Sequence, residues 1–148
     1  MASAPDAPLP FQWSIDHHPS DRVIQAVRDE LIAYNVATAA IDTSRDVAVV
    51  LHDTHGSLMG GIVGTIWGHC VEIKYLWVHP NIRGQGYGSR LLQTLEQEAR
   101  AQQCHAAILD TYSFQAPGFY QRLGYEVFGV IDGYPQGCQK VFLKKRLA

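Results

Sequence analysis

Val78-His79-Pro80-Asn81-Ile82-Arg83-Gly84-Gln85-Gly86-Tyr87-Gly88-Ser89 is the stretch that decides the fold. Ahead of it, Val71, Ile73, Tyr75 and Trp77 alternate with Glu72, Lys74, Leu76 and Val78, the period-two pattern of a strand. Behind it, Leu91, Leu92, Leu95 and Ala99 form one apolar stripe of a helix expected over about residues 88–103. A cluster of glycines therefore sits between a strand and a helix. Glycine lets a ligand approach the backbone closely, and the first N–H groups of a helix have no intrahelical partner. The helix dipole adds partial positive charge there, so such a turn suits a phosphate or pyrophosphate.

Residues 106–111 read as a buried strand, which closes a β-α-β unit around the helix. Upstream, residues 47–53 and 58–68 read as strands joined by a hairpin turn at Thr54-His55-Gly56-Ser57. Gly60, Gly61 and Gly64 inside the second of these imply bulges or close backbone approach. Earlier still, Phe11, Trp13 and Ile15 alternate as a first strand would. Ser20 is then the expected N-cap of a helix carrying Val23, Ile24, Val27 and Leu31, with residues 35–44 read as its end and a loop. Downstream come a short helix over residues 117–123, its first turn tolerant of Pro117, and strands over 125–131 and 139–145. The expected fold class is α/β (α+β), an antiparallel meander leading into a β-α-β unit. Residues 1–10, with three prolines, read as a flexible tail ahead of one domain spanning 11–148.

Composition narrows the function. With 12 Lys and Arg against 14 Asp and Glu, the chain lacks the basic excess of a nucleic-acid binder or a polybasic membrane anchor. Cys70, Cys104 and Cys138 cannot pair completely and form no C-x-x-C motif, so a reducing, cytoplasmic setting is expected. No secretory leader or membrane-length apolar run is read. His17-His18 and His52-x-x-His55 lack a third ligand at suitable spacing, so no metal is expected. Lys144-Lys145-Arg146 reads as a solvated terminus.

Two phosphate-binding motifs compete for the glycine cluster. A P-loop is excluded because no Gly-Lys-Ser/Thr follows. A dinucleotide fingerprint would use Gly84-x-Gly86, with Asp110 near the position of a ribose-binding acid. Ser89 stands where its third glycine belongs, however, and His79 to Arg83 separate the strand from the first glycine. The chain also has a single β-α-β unit where that fold has two halves.

The residues Val78-x-Pro80-x-x-Arg83-Gly84-x-Gly86-x-Gly88 resemble the acetyl-CoA signature of the GNAT superfamily of N-acetyltransferases, whose core is Gln/Arg-x-x-Gly-x-Gly/Ala. Ala116-x-x-Phe119-Tyr120-x-x-x-Gly124-Tyr125 resembles the second motif, Ala-x-x-Phe-Tyr-x-x-x-Gly-Phe, with Tyr in place of the final Phe. The later segments Phe114-Gln115-Ala116 and Gly133-Tyr134-Pro135-x-Gly137 resemble a small bacterial, histone-acetyltransferase-like branch. The resemblance implies a mixed, mainly antiparallel sheet with a central β-α-β unit and helices on both faces. It also implies acetyl-CoA as acyl donor, with no metal, and the primary amine of a small molecule or peptide as acceptor. A homodimer is compatible with it, nucleic-acid and membrane partners are not expected, and an acyl-CoA-binding module without catalysis is the alternative.

By the same resemblance, the donor is held by Leu76, Trp77 and Val78 through main-chain pairing, and by Arg83, Gly84, Gln85, Gly86, Tyr87, Gly88 and Ser89 at the pyrophosphate. Ser113, Phe119 and Tyr120 complete the set, Ser113 standing where the family often has Asn. Tyr120 is the expected general acid, because a phenol of pKa ~10 can protonate a departing thiolate of pKa ~8.5. A backbone N–H near Val78 is the expected oxyanion donor. Glu72 is the candidate base, with His69, His79, Asp110 and Tyr112 as alternatives.

Overall fold

The computed structural model describes residues 11–39 and 44–148. They fall into two compact units that divide between Ala40 and Ile41. The first holds α1 (Asp21–Ala39), where Ser20 acts as the N-cap: its Oγ accepts the Val23 N–H at 3.4 Å. The helix ends at Ala39, within the stretch 35–44 expected to hold its end. Residues 11–16 form no strand, and Phe11, Trp13 and Ile15 are exposed. Alternation fits a residue to a pleat, but a strand also needs a ladder partner. The readings of residues 1–10 as a flexible tail and of 40–43 as loop lie outside the described residues.

The second unit contains β1 (Arg45–His52), β2 (Leu58–Trp67), β3 (Cys70–Val78), α2 (Tyr87–Ala101), β4 (Ala106–Tyr112), α3 (Pro117–Arg122), β5 (Glu126–Ile131) and β6 (Lys140–Arg146). The strands make one six-stranded sheet in the order β1-β2-β3-β4-β6-β5. Only β3 and β4 run parallel; the other neighbours are antiparallel. This is a mixed α+β fold. The β1–β2 turn closes as its sequence implies, with Asp53 Oδ1 accepting the N–H groups of His55 (2.8 Å) and Ser57 (2.9 Å).

Helix α2 covers one sheet face. Its Leu91, Leu92, Leu95 and Ala99 are buried against Ile62, Ile66, Val71, Ile73, Ala107, Leu109 and Leu143. Gly60 and Gly64 alternate with Ile62 and Ile66 on that face and let the helix sit close. A Cβ on Gly64 would lie 3.3 Å from Leu95 Cδ2 and 3.1 Å from Val71 Cγ2.

One register shift matters for the site. Val63 pairs with Tyr75 but Gly64 pairs with Ile73, so Lys74 is an extra residue in β3. Before the bulge, Val71 and Ile73 face α2. After it, Leu76 and Val78 take that face, opposite Ile62 and Gly60, while Tyr75 and Trp77 are exposed. The uniform alternation read from the sequence is therefore broken in mid-strand.

Candidate active site

At the same bulge the sheet opens. The β3–β4 ladder pairs Cys70–Ile73 with Ala106–Leu109 and stops, although both strands continue. Beyond Ile73, β3 stays paired to β2 and β4 to β6, so the two parallel strands part. The side of β3 facing the split carries main-chain groups with no ladder partner in β4.

The glycine turn lies at the open end. His79 Nδ1 accepts the Asn81 N–H at 3.2 Å and starts a short 3-10 turn over Pro80–Ile82. Arg83 then folds back, its Nε donating to the Val78 carbonyl at 2.8 Å, and leaves its terminal guanidinium nitrogens as donors. Gly84 (φ +72°) and Gly86 (φ +85°) take left-handed conformations that glycine adopts without steric cost. Gly86 is the N-cap of α2 and supplies no side-chain acceptor; its carbonyl takes the Arg90 N–H at 3.1 Å. The N–H groups of Tyr87, Gly88 and Ser89 thus have no acceptor within the helix.

Split and turn join in one groove of about 670 Å³, a volume suited to a small-molecule or cofactor site. Leu76, Trp77, Val78, Arg83, Gly84, Gly86, Tyr87, Gly88, Ser89 and Phe119, all expected from the sequence, line it. Phe119 packs beside the cradle, its ring 3.4 Å from where a Cβ on Gly88 would stand, an ordinary contact distance.

Three expected contacts are not in the lining. Gln85 lies in the turn without facing the groove. Ser113 is turned away, its Oγ accepting the Gln139 N–H at 3.0 Å. Tyr120 sits behind Phe119, edge to face at 5.0 Å. Three lining residues escaped the sequence reading: Ile82, Phe114 and Gln115. The last two lie just past Ser113 at the end of β4, and a strand end beside a split sheet was the available signal. Gln115 Oε1 accepts the Tyr112 N–H at 3.1 Å, which holds that corner in place.

Tyr120 is half-buried, and burial pushes its phenol above the usual tyrosine range. Its carbonyl accepts the N–H groups of Leu123 (3.0 Å) and Tyr125 (3.1 Å). Among the described residues its hydroxyl makes no hydrogen bond, which leaves the proton available. Glu72 is exposed outside the groove, 2.8 Å from Lys74 Nζ. His69 stacks on His105 at 4.7 Å at the far end of β3, its Nδ1 donating to the Gln103 carbonyl at 2.9 Å. Asp110 pairs with Lys140 at 3.4 Å rather than lining the groove, so it is not placed as a ribose ligand. Tyr112 packs between Phe114 and Tyr134.

Elsewhere, the three cysteines are free, and burial pushes the Cys104 thiol up, away from nucleophile behaviour. Among the described residues no group of three or more His, Cys, Asp or Glu side chains is placed to hold a metal. No described helix is long and apolar enough to cross a membrane.

The split sheet and the glycine cradle at the start of α2 thus share one groove, with Tyr120 behind its Phe119 wall. The model of the acetyltransferase (GNAT) family matches residues 6–125, and the chain belongs to that family. It is 42% identical over 93 residues to blasticidin-S acetyltransferase of Streptomyces morookaense, covering 62% of this chain and 68% of that one. The crystal structure of an Agrobacterium tumefaciens protein classed as an acetyltransferase superposes with a TM-score of 0.86 at 29% identity, over 92% of this chain and 99% of the other. A Bacillus anthracis protein classed as a streptothricin acetyltransferase, solved in complex with acetyl coenzyme A, shares the fold. Its TM-score is 0.60 at 20% identity, over 68% of this chain and 62% of that one.

Proposed function

We propose that this chain transfers an acetyl group from acetyl-CoA to the primary amine of a small molecule. The observation that carries the reading is the continuity of the β3–β4 split with the glycine cradle in one groove. The cradle fits a pyrophosphate: free helix N–H groups, two left-handed glycines and the remaining nitrogens of Arg83 supply donors to anionic oxygens. Main-chain groups of Leu76, Trp77 and Val78 along the split fit the amides of a pantetheine arm, as an added strand would. The thioester supplies the activated acyl group. What remains for the protein is to orient it against the amine, hold the developing oxygen charge on a backbone N–H near Val78, and return a proton to sulfur.

Tyr120 is the proton donor in this scheme. Burial favours its neutral form, so the phenol carries its proton throughout the neutral range. Glu72, the expected base, stands outside the groove and paired with Lys74, so in this scheme it would reach the amine proton only through water. A small-molecule acceptor is supported by the relatives named for blasticidin S and streptothricin.

Two measurements test the reading. Saturating acetyl-CoA, at about 100 times its dissociation constant, should stabilise the protein by ~2.7 kcal/mol, and no stabilisation would remove the donor assignment. Replacing Tyr120 with Phe should lower kcat for amine-dependent thiol release about 100-fold or more, the scale of lost acid catalysis, with KM for acetyl-CoA little changed. Acetyl-CoA binding without turnover of any amine would identify a binding module instead.

A further inference from the structure

Helix α2 carries the cradle at its start and a buried carboxylate in its third turn. Glu96 is 3% exposed, an acid on an otherwise apolar stripe. Its Oε1 accepts the Tyr125 hydroxyl at 3.0 Å and Lys145 Nζ at 3.0 Å; its Oε2 accepts Lys145 Nζ at 2.9 Å and lies 3.5 Å from the Arg100 guanidinium. Lys145 also lies over the Tyr125 ring at 5.5 Å. The basic end of the chain is therefore not simply a solvated terminus: Lys145 reaches inward.

Tyr125 lies three residues beyond the end of α3 and touches Tyr120 twice. Its N–H donates to the Tyr120 carbonyl, and its ring meets the Tyr120 ring edge to face at 5.9 Å. Tyr120 is thus held between Phe119, a wall of the groove, and Tyr125, which is tied to α2. Because the Tyr120 hydroxyl makes no hydrogen bond among the described residues, the packing of its ring between Phe119 and Tyr125 sets where it points.

We infer that Tyr125, anchored through its hydroxyl to Glu96, is a positioning residue that fixes the Tyr120 hydroxyl relative to the cradle on α2. This rests on Tyr120 acting as the proton donor. About ten residues of helix, roughly 15 Å, separate the cradle from Glu96, so one rigid element references both the donor's phosphates and the acid. Tyr125 itself cannot stand in as acid, since it is 3% exposed and its hydroxyl is committed to Glu96.

A four-variant cycle tests this: wild type, Tyr125→Phe, Tyr120→Phe and the double variant. Phe keeps the ring and the backbone bond and removes only the anchor. We expect Tyr125→Phe to lower kcat about five- to tenfold with KM for acetyl-CoA unchanged, and to have no further effect once Tyr120 is Phe. An equal loss in both backgrounds would reduce Tyr125 to a structural role. An unchanged kcat in Tyr125→Phe, with Tyr120→Phe inactive, would overturn the positioning role and leave the acid intact. Full activity in Tyr120→Phe would overturn the acid assignment itself. Glu96→Gln is the second variant: it keeps an acceptor for the Tyr125 hydroxyl and should retain more activity than Tyr125→Phe. The reverse order would also overturn the inference.

Discussion

The two halves of the candidate site are built from different material. Arg83 to Ser89 present mostly main-chain groups, set by glycine dihedrals and a helix terminus. The α3 side presents side chains, set by ring contacts and a buried ion-pair network around Glu96. The first half is locally encoded and insensitive to what surrounds it. The second depends on residues from α2 and β6 far away in sequence, so its geometry is only as firm as their packing.

If that contrast holds, the largest stability loss should come from the network. Glu96→Ala leaves the Lys145 ammonium without its partner in a partly buried site and should cost about 3 kcal/mol. In a chain of this size that lowers the thermal midpoint by roughly 6–12 °C. A fall within about 2 °C would mean that solvent already screens the network, and the contrast would fail.

Alkaline pH probes the same network without mutation. Burial, then the Glu96 carboxylate, push the Tyr125 phenol far above its ordinary value of 10.0. The unfolded chain releases that proton near pH 10 while the folded chain keeps it, so stability present below this pH falls as pH rises, by up to ~1.4 kcal/mol per unit. Thermal midpoints between about pH 9.5 and 11 should decline less steeply in Tyr125→Phe, where this group is absent. Equal slopes would place the alkaline loss elsewhere.

The glycine half gives a smaller and sharper pair. Gly86→Ala forces a side chain into φ +85° with nothing nearby to clash, so the cost is backbone strain alone, about 1–2 kcal/mol, and KM for acetyl-CoA should rise. Gly88→Ala meets Phe119 at ordinary contact distance inside a helix and should leave stability unchanged or slightly raised. Matching losses at the two positions would show that crowding, not dihedral angle, selects the glycines.

What was legible in the sequence follows the same division. The hairpin at Asp53–Ser57, the leucine stripe of α2 and the cradle all declare themselves within a few residues, because a turn, a helix face and a glycine dihedral are local. The bulge at Lys74 is not local: it arises where β3 must satisfy β2 while leaving β4, and it reverses the faces of Tyr75 and Leu76. Ser113 looked like a cofactor ligand because its position matched a motif, yet pairing with Gln139 on the chain leading into β6 decides its direction. Glu96 gave no signal in a helix full of polar residues. Its partners, Tyr125 and Lys145, lie 29 and 49 positions away.

The early end of the β3–β4 ladder also leaves main chain exposed inside the sheet. A sheet normally confines its unpaired edges to the outside, where charge, prolines or short strands guard them against association. Here an edge opens in the middle of the sheet, between two strands whose other sides are fully bonded. Under the proposed function, the donor's pantetheine arm would occupy that edge as a missing strand, so filling the groove would also cap the exposed main chain.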